Sequence, residues 1–381
     1  MKNASFLTIV SVSVLSTVAS MVWVPALASD AYGEPFEGWG FVKDDWQLVC
    51  DNTLTCRAVG YADEGAFDTP ASLLLTATPK VALPLAEIQF LDEGQEQEQE
   101  QSNAAAELWL NDKNYGTLPL ENEGYNYRLT AKQTGQLIKQ AHLDSKIEIR
   151  QGAHSWIISD KGMNAVLLKL DDVQGRVGTA LALVSKNSPN RQTPKSAKPL
   201  PVVKKAYSYP EDDHKQLDPA KLIYFRKNIE KWVDIDAKRF VGFEDDMGDC
   251  ELVNPSTEEY QRMQEYTSSS LDWDFIPVDA KHTLASHLCW RGAYNEGSGY
   301  WLISHDKPSQ TQLITTSGSD YSNGEIYAAH KDRGIGDCWN TQEWVWNGKT
   351  FAMTVDSSTG MCRGFAGGAW GLPTYVSEVI E

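Results

Sequence analysis

The fold is decided by a run of eleven residues near the C-terminus, Glu343-Trp344-Val345-Trp346-Asn347-Gly348-Lys349-Thr350-Phe351-Ala352-Met353. Two apolar runs flank Asn347-Gly348, and Asn-Gly supplies the two positive φ angles of a type I′ turn. The pattern predicts a β-hairpin whose two-residue turn places Trp346 opposite Lys349. The same turn places Trp344 opposite Phe351, an aromatic cross-strand pair.

Short apolar runs of this kind recur along the chain, whereas few segments have helical spacing. We predict one helix from its Thr130 cap to Ala141 and a second over residues 163–174. A third begins after Asp218, with Pro219 in its first turn. Strands therefore outnumber helices. The expected fold class is α+β, with two sheet-rich domains that each contain a few helices and are stabilised by disulfides.

A basic segment divides the chain into two parts. It reads KNSPNRQTPKSAKPLPVVKK over residues 186–205, with four prolines and no acidic residue. This composition buries little apolar surface, and proline stiffens it. A mature chain of about 350 residues also exceeds the usual size of a single core. We predict an N-terminal domain over residues 31–185, a linker over 186–206 and a C-terminal domain over 207–381.

The first 28 residues have the pattern of a secretory signal peptide. Lys2 precedes a mostly apolar run that ends in Ala26-Leu27-Ala28. A basic start, an apolar centre and two small residues at the cleavage site are typical of such signals. We expect cleavage after Ala28 and a periplasmic or secreted location for the remainder. An uncleaved anchor helix is the alternative, because the uncharged run could almost span a bilayer.

The cysteine pattern indicates disulfides. Six cysteines follow the signal: Cys50, Cys56, Cys250, Cys289, Cys338 and Cys362. An even number in an exported chain favours disulfides, although six cysteines allow fifteen pairings. Pairing of nearest neighbours closes the shortest loops and is the scheme we predict. A zinc site would need closely spaced Cys/His pairs, and the sequence contains no C-x-x-C.

Charge and composition disfavour several partners. The chain has 34 Lys and Arg against 52 Asp and Glu, a net charge of -18. Such a surface repels nucleic-acid phosphates and anionic lipids. We expect no nucleic-acid partner and no membrane span after signal cleavage. No cofactor is predicted either, because the glycine-rich stretch over residues 363–371 has no phosphate-loop lysine.

Several short motifs together resemble a known family. They are Asp45-Trp46 with Cys50 and Cys56, LDDVQGRVGT over 170–179, Cys289 followed by GAYN over 292–295, GDC over 336–338, WVWNGKTF over 344–351, and CRG over 362–364. In this order they resemble an exported bacterial family catalogued as domain-of-unknown-function family 1176. The first domain is also similar to invasion-associated locus B proteins, which are periplasmic or surface-linked. Neither resemblance implies catalytic residues.

Two groups of residues match fragments of known catalytic or metal sites. Ser304 and Lys307 have the Ser-x-x-Lys spacing of penicillin-recognising enzymes. That chemistry needs the serine at the start of a helix, whereas here a predicted strand precedes it and Pro308 follows, so we predict a turn. His282 and His287 are five residues apart, which suits neither one strand face nor one helical turn. A shared metal is not expected there.

Acidic side chains leave two further possibilities open. The dense patch from Glu244 to Asp249 could hold calcium through its carboxylates, but its spacing fits no known calcium loop and favours a solvated loop. Asp171 and Asp172 end the second predicted helix, close to Arg176. A local ion-pair cluster is the simpler interpretation. Paired carboxylates for glycoside cleavage remain possible, because the sequence does not show their separation in space.

Aromatic residues provide the candidate binding surface. Among 13 tryptophans, four fall in a short C-terminal span beside several glycines: Trp339, Trp344, Trp346 and Trp370. Their rings could form either a core or an exposed platform for sugar rings or a protein. On the second interpretation the protein is a non-enzymatic envelope protein that binds a protein or glycan, and its acidity favours a basic protein or a neutral glycan. The alternative is a periplasmic hydrolase acting on cell-wall or glycan substrate.

Overall fold

The computed structural model describes residues 38–66, 68–91, 104–120, 126–141, 144–213, 215–237, 250–266 and 271–381. Residues 37–381 belong to one compact unit. Within the described residues, strands in several sheets and four α-helices make a mixed, sheet-rich structure, which confirms the predicted α+β class. The predicted signal peptide, residues 1–28, and the acidic patch Glu244–Asp249 lie outside the described residues.

The N-terminal half of the chain, before residue 186, is built on a six-stranded antiparallel sheet. Its strands have the spatial order β1-β2-β3-β4-β5-β8, so consecutive strands pair and β1 forms one edge. They are Trp39–Lys43 (β1), Trp46–Cys50 (β2), Cys56–Tyr61 (β3), Ala71–Ala77 (β4), Leu85–Phe90 (β5) and Tyr127–Arg128 (β8). Residues on both faces of β2, β3 and β4 are buried, so this sheet is covered on both sides.

A second, four-stranded sheet has the order β10-β9-β6-β7. Its strands are Glu107–Leu110 (β6), Lys113–Thr117 (β7), Ile147–Gln151 (β9) and His154–Ile158 (β10). Helix α1 spans Ala131–Gln140 behind the predicted Thr130 cap, where Thr130 and Gln133 form a capping box. Helix α2 spans Met163–Val173. The apolar faces of both helices join the core that the two sheets share.

The predicted linker follows the surface of the N-terminal half. Its backbone N–H groups donate from Gln192 to Val177 O (2.9 Å), from Lys195 to Gln174 O (3.0 Å) and from Lys198 to Thr53 O (3.0 Å). We call residues 186–198 the basic strap. Strand β11 (Val202–Lys204) then pairs in parallel with β21 (Glu378–Ile380). Its composition predicts a segment that does not pack, whereas backbone hydrogen bonds hold it against the N-terminal half. The division into separately folding domains stays a prediction.

The C-terminal half, after residue 206, contains two antiparallel sheets. One has the order β12-β13-β14-β15: Asp274–Pro277, His282–Arg291, Glu296–Ser304 and Gln312–Gly318. The other has the order β16-β17-β18-β19-β20: Asp320–Ser322, Glu325–Lys331, Trp339–Trp346, Phe351–Ser358 and Leu372–Val376. Helix α3 (Pro219–Val233) has the predicted Asp218 cap. Helix α4 (Glu258–Tyr266) has few apolar residues and was not predicted from the sequence.

The C-terminal hairpin forms with a different register from the predicted one. Trp346 pairs with Phe351, and Trp344 pairs with Met353. The connection therefore spans residues 347–350, because the Asn347 side-chain oxygen accepts from the backbone N–H groups of Lys349 and Thr350. This local turn removes those residues from the ladder. The aromatic cross-strand contact is consequently Trp346–Phe351, with ring centroids 5.4 Å apart.

Three disulfides join the nearest neighbours in sequence, as predicted. The pairs are Cys50–Cys56, Cys250–Cys289 and Cys338–Cys362. The first pins the β2–β3 hairpin, in which these two residues are directly opposite each other. The third encloses the C-terminal hairpin. Among the described residues, no helix is both long and apolar enough to cross a membrane.

The two halves share a buried contact. The glycine-rich loop, residues 363–371, lies against the face of the six-stranded sheet that points away from α1 and α2. Phe365 and Trp370 pack there against Val59 and Leu74 in a separate apolar cluster. The indole N–H of Trp370 donates to Ser72 Oγ at 2.7 Å. This contact explains why the sheet is covered on both sides.

Candidate functional site

Most of the predicted binding surface is buried. Trp344, Trp346 and Trp370 expose 5%, 0% and 6% of their area. Trp339 is half-buried, and its indole N–H donates to the carbonyl of Gly336 at 2.9 Å. The structure thus corrects the exposed-platform prediction for three of the four rings. Nothing in the spacing of the tryptophans separates a core face from a solvent face.

The physical reason is that two apolar surfaces cover these rings. Trp344 and Trp346 lie in a cluster with residues of the β12–β15 sheet, including Tyr300 and Leu302. Trp370 covers the outer face of the N-terminal sheet. Indole rings remove more apolar area from water than most side chains, so a fold with several small sheets uses them to fill the spaces between layers.

The motifs that carry the family resemblance meet at the contact between the halves. Arg363 Nη2 donates to Asp45 Oδ1 at 2.9 Å, and Arg363 Nη1 donates to the carbonyl of Ala62 at 3.0 Å. Asp337 is buried, forms a salt bridge with Arg333 and accepts from the N–H of Gly364 at 2.8 Å. These charged residues therefore hold the structure together and are already satisfied by protein partners.

Asp171 also has a structural role. It is fully buried at the end of α2, and its carboxylate accepts from the backbone N–H groups of Leu183 (2.8 Å), Val184 (3.1 Å) and Ser185 (3.1 Å). Arg176 is buried nearby and donates from Nη2 to Thr78 O at 2.8 Å. The predicted residues thus lie close together, but no described salt bridge joins Arg176 to Asp171 or Asp172; backbone N–H groups hold the Asp171 carboxylate instead, and they organise the chain that leads into the basic strap.

His282 and Ser304 are opposite each other in the β13–β14 ladder, whereas His287 lies farther along β13. His282 Nδ1 is 2.9 Å from Asp279 Oδ1. His287 is buried with its two ring nitrogens near the carbonyls of Leu288 and Leu271. Ser304 ends β14, and its carbonyl accepts from the N–H of Lys307 at 3.2 Å, in a turn. The strand-and-turn setting predicted for Ser304 is therefore confirmed.

An open groove lies where β1, the end of α2 and the basic strap meet. It has a volume of about 570 Å³ and is lined by Trp39, Lys169, Asp172, Val173, Gly175, Gln192, Thr193 and Lys195. We call it the Trp39 groove. Trp39 is half-buried on the edge strand β1 and stacks beside Phe41, with ring centroids 6.2 Å apart.

The turn after α2 brings the strap to the groove. Gly175 has a φ of +68°, and a Cβ added there would lie 2.3 Å from the carbonyl oxygen of Thr193. Only glycine fits both the left-handed conformation and the close approach of the strap. The Lys195 N–H then bonds to the carbonyl of Gln174. The strap therefore presents its side chains beside Asp172 and Lys169.

A small polar network lines this groove. Asp172 Oδ1 accepts from Gln192 Nε2 at 2.8 Å, and Oδ2 accepts from Lys169 Nζ at 3.4 Å. The hydrogen bond from Gln192 and the charge of Lys169 lower the pKa of Asp172. Because a carboxylate only accepts, the Gln192 amide must turn its nitrogen to Asp172. Its buried oxygen then has no hydrogen-bond donor among the described residues.

Aromatic and cationic groups occur together in the groove. Lys169 Nζ lies 5.0 Å from the centroid of the Trp39 ring. Lys195 is exposed on the strap, and its charge also contributes to the lowered pKa of Asp172. The groove consequently offers an apolar ring, hydrogen-bonding groups and two ammonium groups within one concave surface.

Two other groups of residues lie close together. A smaller cavity of about 250 Å³ lies between Tyr209, Lys215 and Tyr321. In the described part of the chain, Asp332, Cys338 and Cys362 are close enough together to hold a metal ion. However, those two sulfur atoms are bonded to each other. They are therefore not available as thiolate ligands.

Sequence reasoning missed the groove residues Trp39, Lys169, Gln192 and Lys195. Two signals pointed to this region: the acid-free basic segment and the motif over residues 170–179, which contributes Asp172 and Gly175. The lone Trp39 was not selected because it is not part of a tryptophan cluster. Only the fold brings together Trp39 on β1, the end of α2 and the basic strap.

Over residues 41–377 the chain matches the family described as "Protein of unknown function (DUF1176)". Because the match covers most of its length, the chain belongs to this family. No curated protein and no solved structure is significantly similar to it.

Proposed function

We propose that this member of the DUF1176 family is an exported, non-enzymatic binding protein that holds a glycan in the Trp39 groove. The observation that carries the proposal is the half-buried Trp39 ring beside the polar groups of Asp172, Gln192 and Lys195. Ligand sites commonly combine apolar contact with a few placed polar groups.

A glycan fits this chemistry better than an extended protein surface. A sugar ring has C–H faces that pack on an indole and hydroxyls that both donate and accept hydrogen bonds. Asp172 accepts and Lys195 donates hydrogen bonds at the lining of the groove. The groove volume of about 570 Å³ also lies within the range of pockets that bind small molecules.

The proposed location is the periplasm or the extracellular space. It is supported by the signal-like pattern ending in Ala26-Leu27-Ala28 and by three disulfides, which persist in oxidising compartments. We also propose that the first domain is related to locus B proteins, and that relation would fit the same location. In that compartment, envelope glycans are the ligands within reach.

Hydrolysis is the alternative activity, and it requires two carboxylates at one substrate site. The Trp39 groove is lined by a single acidic residue, Asp172, and the smaller cavity by a single one, Glu211. The arrangement therefore favours binding. Release of reducing sugar ends from a bound glycan would instead identify a hydrolase.

Replacement of Trp39 tests the proposed site. The mature protein is first applied to an array of neutral and acidic oligosaccharides, and the affinity for the bound glycan is then measured by calorimetry. We expect Trp39→Ala to weaken binding by roughly 30-fold, which corresponds to about 2 kcal/mol. Tyr207→Ala removes an exposed ring elsewhere and should leave affinity unchanged. Binding that is equal in both variants, or no glycan bound at all, would contradict the proposal.

A further inference from the structure

We infer that the glycan bound in the Trp39 groove is anionic, with a carboxylate or phosphate group beside the ring that packs on Trp39. This inference rests on the proposed function and reverses the preference for a neutral ligand that the overall acidity suggests. The net charge of -18 describes the chain as a whole. A ligand in a groove responds to the charges closest to it, because salt screens the distant ones.

The local charge of the groove region is opposite to that of the chain. Residues 173–210 contain no Asp or Glu, although the chain has 52 of them. The same residues contain seven basic side chains, namely Arg176, Lys186, Arg191, Lys195, Lys198, Lys204 and Lys205. The strap carries four of the seven, and one of these, Lys195, lines the groove. An anion approaching there meets a positive potential on an otherwise negative molecule.

Lys195 is the cation best placed to bind such a group. It lines the groove and is exposed, and its Nζ forms no hydrogen bond or ion pair with any described residue. An ammonium ion has three N–H donors, so Lys195 can bind a carboxylate or phosphate without losing a protein partner. A charge-assisted hydrogen bond of this kind is stronger than a neutral one.

The positive charge of Lys169 lies next to the aromatic ring of Trp39. Its ammonium is 5.0 Å from the centroid of the Trp39 ring, so a ligand that reaches the indole also reaches this cation. A sugar with an anionic substituent satisfies both groups at once. An anionic group can share this ammonium with Asp172, to which Lys169 Nζ already donates at 3.4 Å, whereas a neutral sugar gains no such ion pair.

Asp172 does not reverse this preference. Its two carboxylate oxygens already accept hydrogen bonds, Oδ1 from Gln192 and Oδ2 from Lys169. It thereby fixes the positions of the groups that face the ligand. The lining carries two lysines against this one aspartate, and the remaining strap residues add only positive charge.

Matched acidic and neutral probes test the inference. Tetragalacturonate is compared with its methyl ester, which has the same backbone and no charge, and phosphorylated dextran is compared with unmodified dextran. We expect the acidic member of at least one pair to bind roughly 10-fold more tightly, with affinity falling several-fold between 50 and 300 mM salt. The pair that shows the difference identifies which anion is preferred.

Charge variants locate the effect. Lys195→Gln should weaken binding of the acidic probe by about 5-fold more than it weakens binding of the neutral probe, and Lys195→Glu should widen that difference. Lys227→Gln, which removes an exposed lysine on α3, is the matched control. Equal binding of acidic and neutral probes through Trp39 would overturn the inference while leaving the glycan site intact. If neither class binds, the proposed function fails with it.

Discussion

Trp370 packs against the six-stranded sheet, whereas Trp39 belongs to its edge strand β1, and the two rings have different surroundings. Trp370 covers the outer face, is 6% exposed and donates its indole N–H to Ser72. Trp39 stands on the edge strand, is half-buried and has an ammonium 5.0 Å from its ring centroid. The Trp370 ring is therefore enclosed by protein, whereas the Trp39 ring lines the Trp39 groove.

This difference shows why a cluster of tryptophans is a poor guide to a binding site. The clustered rings fill space between small sheets, whose faces must be buried against something. A lone ring on an edge strand has no sheet on one side and can meet a ligand. Charge makes a similar distinction, because Arg363 and Asp45 at the contact between the halves form an ion pair, whereas Lys195 in the Trp39 groove is exposed.

The largest effect should follow from Trp370→Ala. The substitution removes a buried ring from the contact between the halves and leaves a cavity, so we expect a loss of about 3–5 kcal/mol in the free energy of unfolding. Urea unfolding followed by circular dichroism measures it. Trp39→Ala, at a half-buried site, should lose no more than about 2 kcal/mol. If the two losses are equal, or their order is reversed, the assignment of one ring to structure and the other to binding is wrong.

A smaller effect should appear in the dependence of stability on pH. Burial lowers the pKa of His287 below its ordinary value, although two backbone carbonyls favour its charged form. The unfolded chain therefore binds a proton that the folded chain does not, and stability falls as the pH drops below about 6.5. One histidine contributes at most about 1.4 kcal/mol per pH unit.

Comparison of two histidine variants isolates this contribution. His287→Gln should flatten the stability curve between pH 6.5 and 5, whereas His154→Gln, at an exposed site outside the C-terminal core, should leave its slope unchanged. His305, whose pKa is also lowered by burial and by Lys221, keeps its own slope in both variants. An unchanged slope in His287→Gln would mean that this ring binds its proton equally well in the folded and unfolded states, and that burial does not lower its pKa.

Much of the fold could be predicted because its signals are local. The Thr130 and Asp218 caps, the helix stop near Gly175 and the Cys50–Cys56 disulfide all depend on residues close in sequence. The register of the C-terminal hairpin was predicted less well, because the Asn347 side chain competes for the turn N–H groups. Asn-Gly fits more than one turn, and the sequence does not show which hydrogen bonds are formed.

The candidate site could not be predicted in the same way. Trp39, Lys169 and Lys195 come from three separate segments, and only the course of the strap past Gly175 joins them. The basic composition of the strap was evident, but it was interpreted as a sign of weak packing alone. Whether a ring is buried depends on what covers it, and that covering comes from residues distant in sequence.

Indole N–H resonances test the central claim most directly. The protein is labelled with ¹⁵N-tryptophan, the Trp39 signal is assigned from Trp39→Phe, and tetragalacturonate is added in steps. We predict that the Trp39 signal moves and saturates, while the signals of Trp344, Trp346 and Trp370 stay in place, because the ligand meets only the ring at the groove. If the Trp39 signal stays fixed while the buried tryptophans shift, the ligand binds elsewhere and the Trp39 groove is not the site.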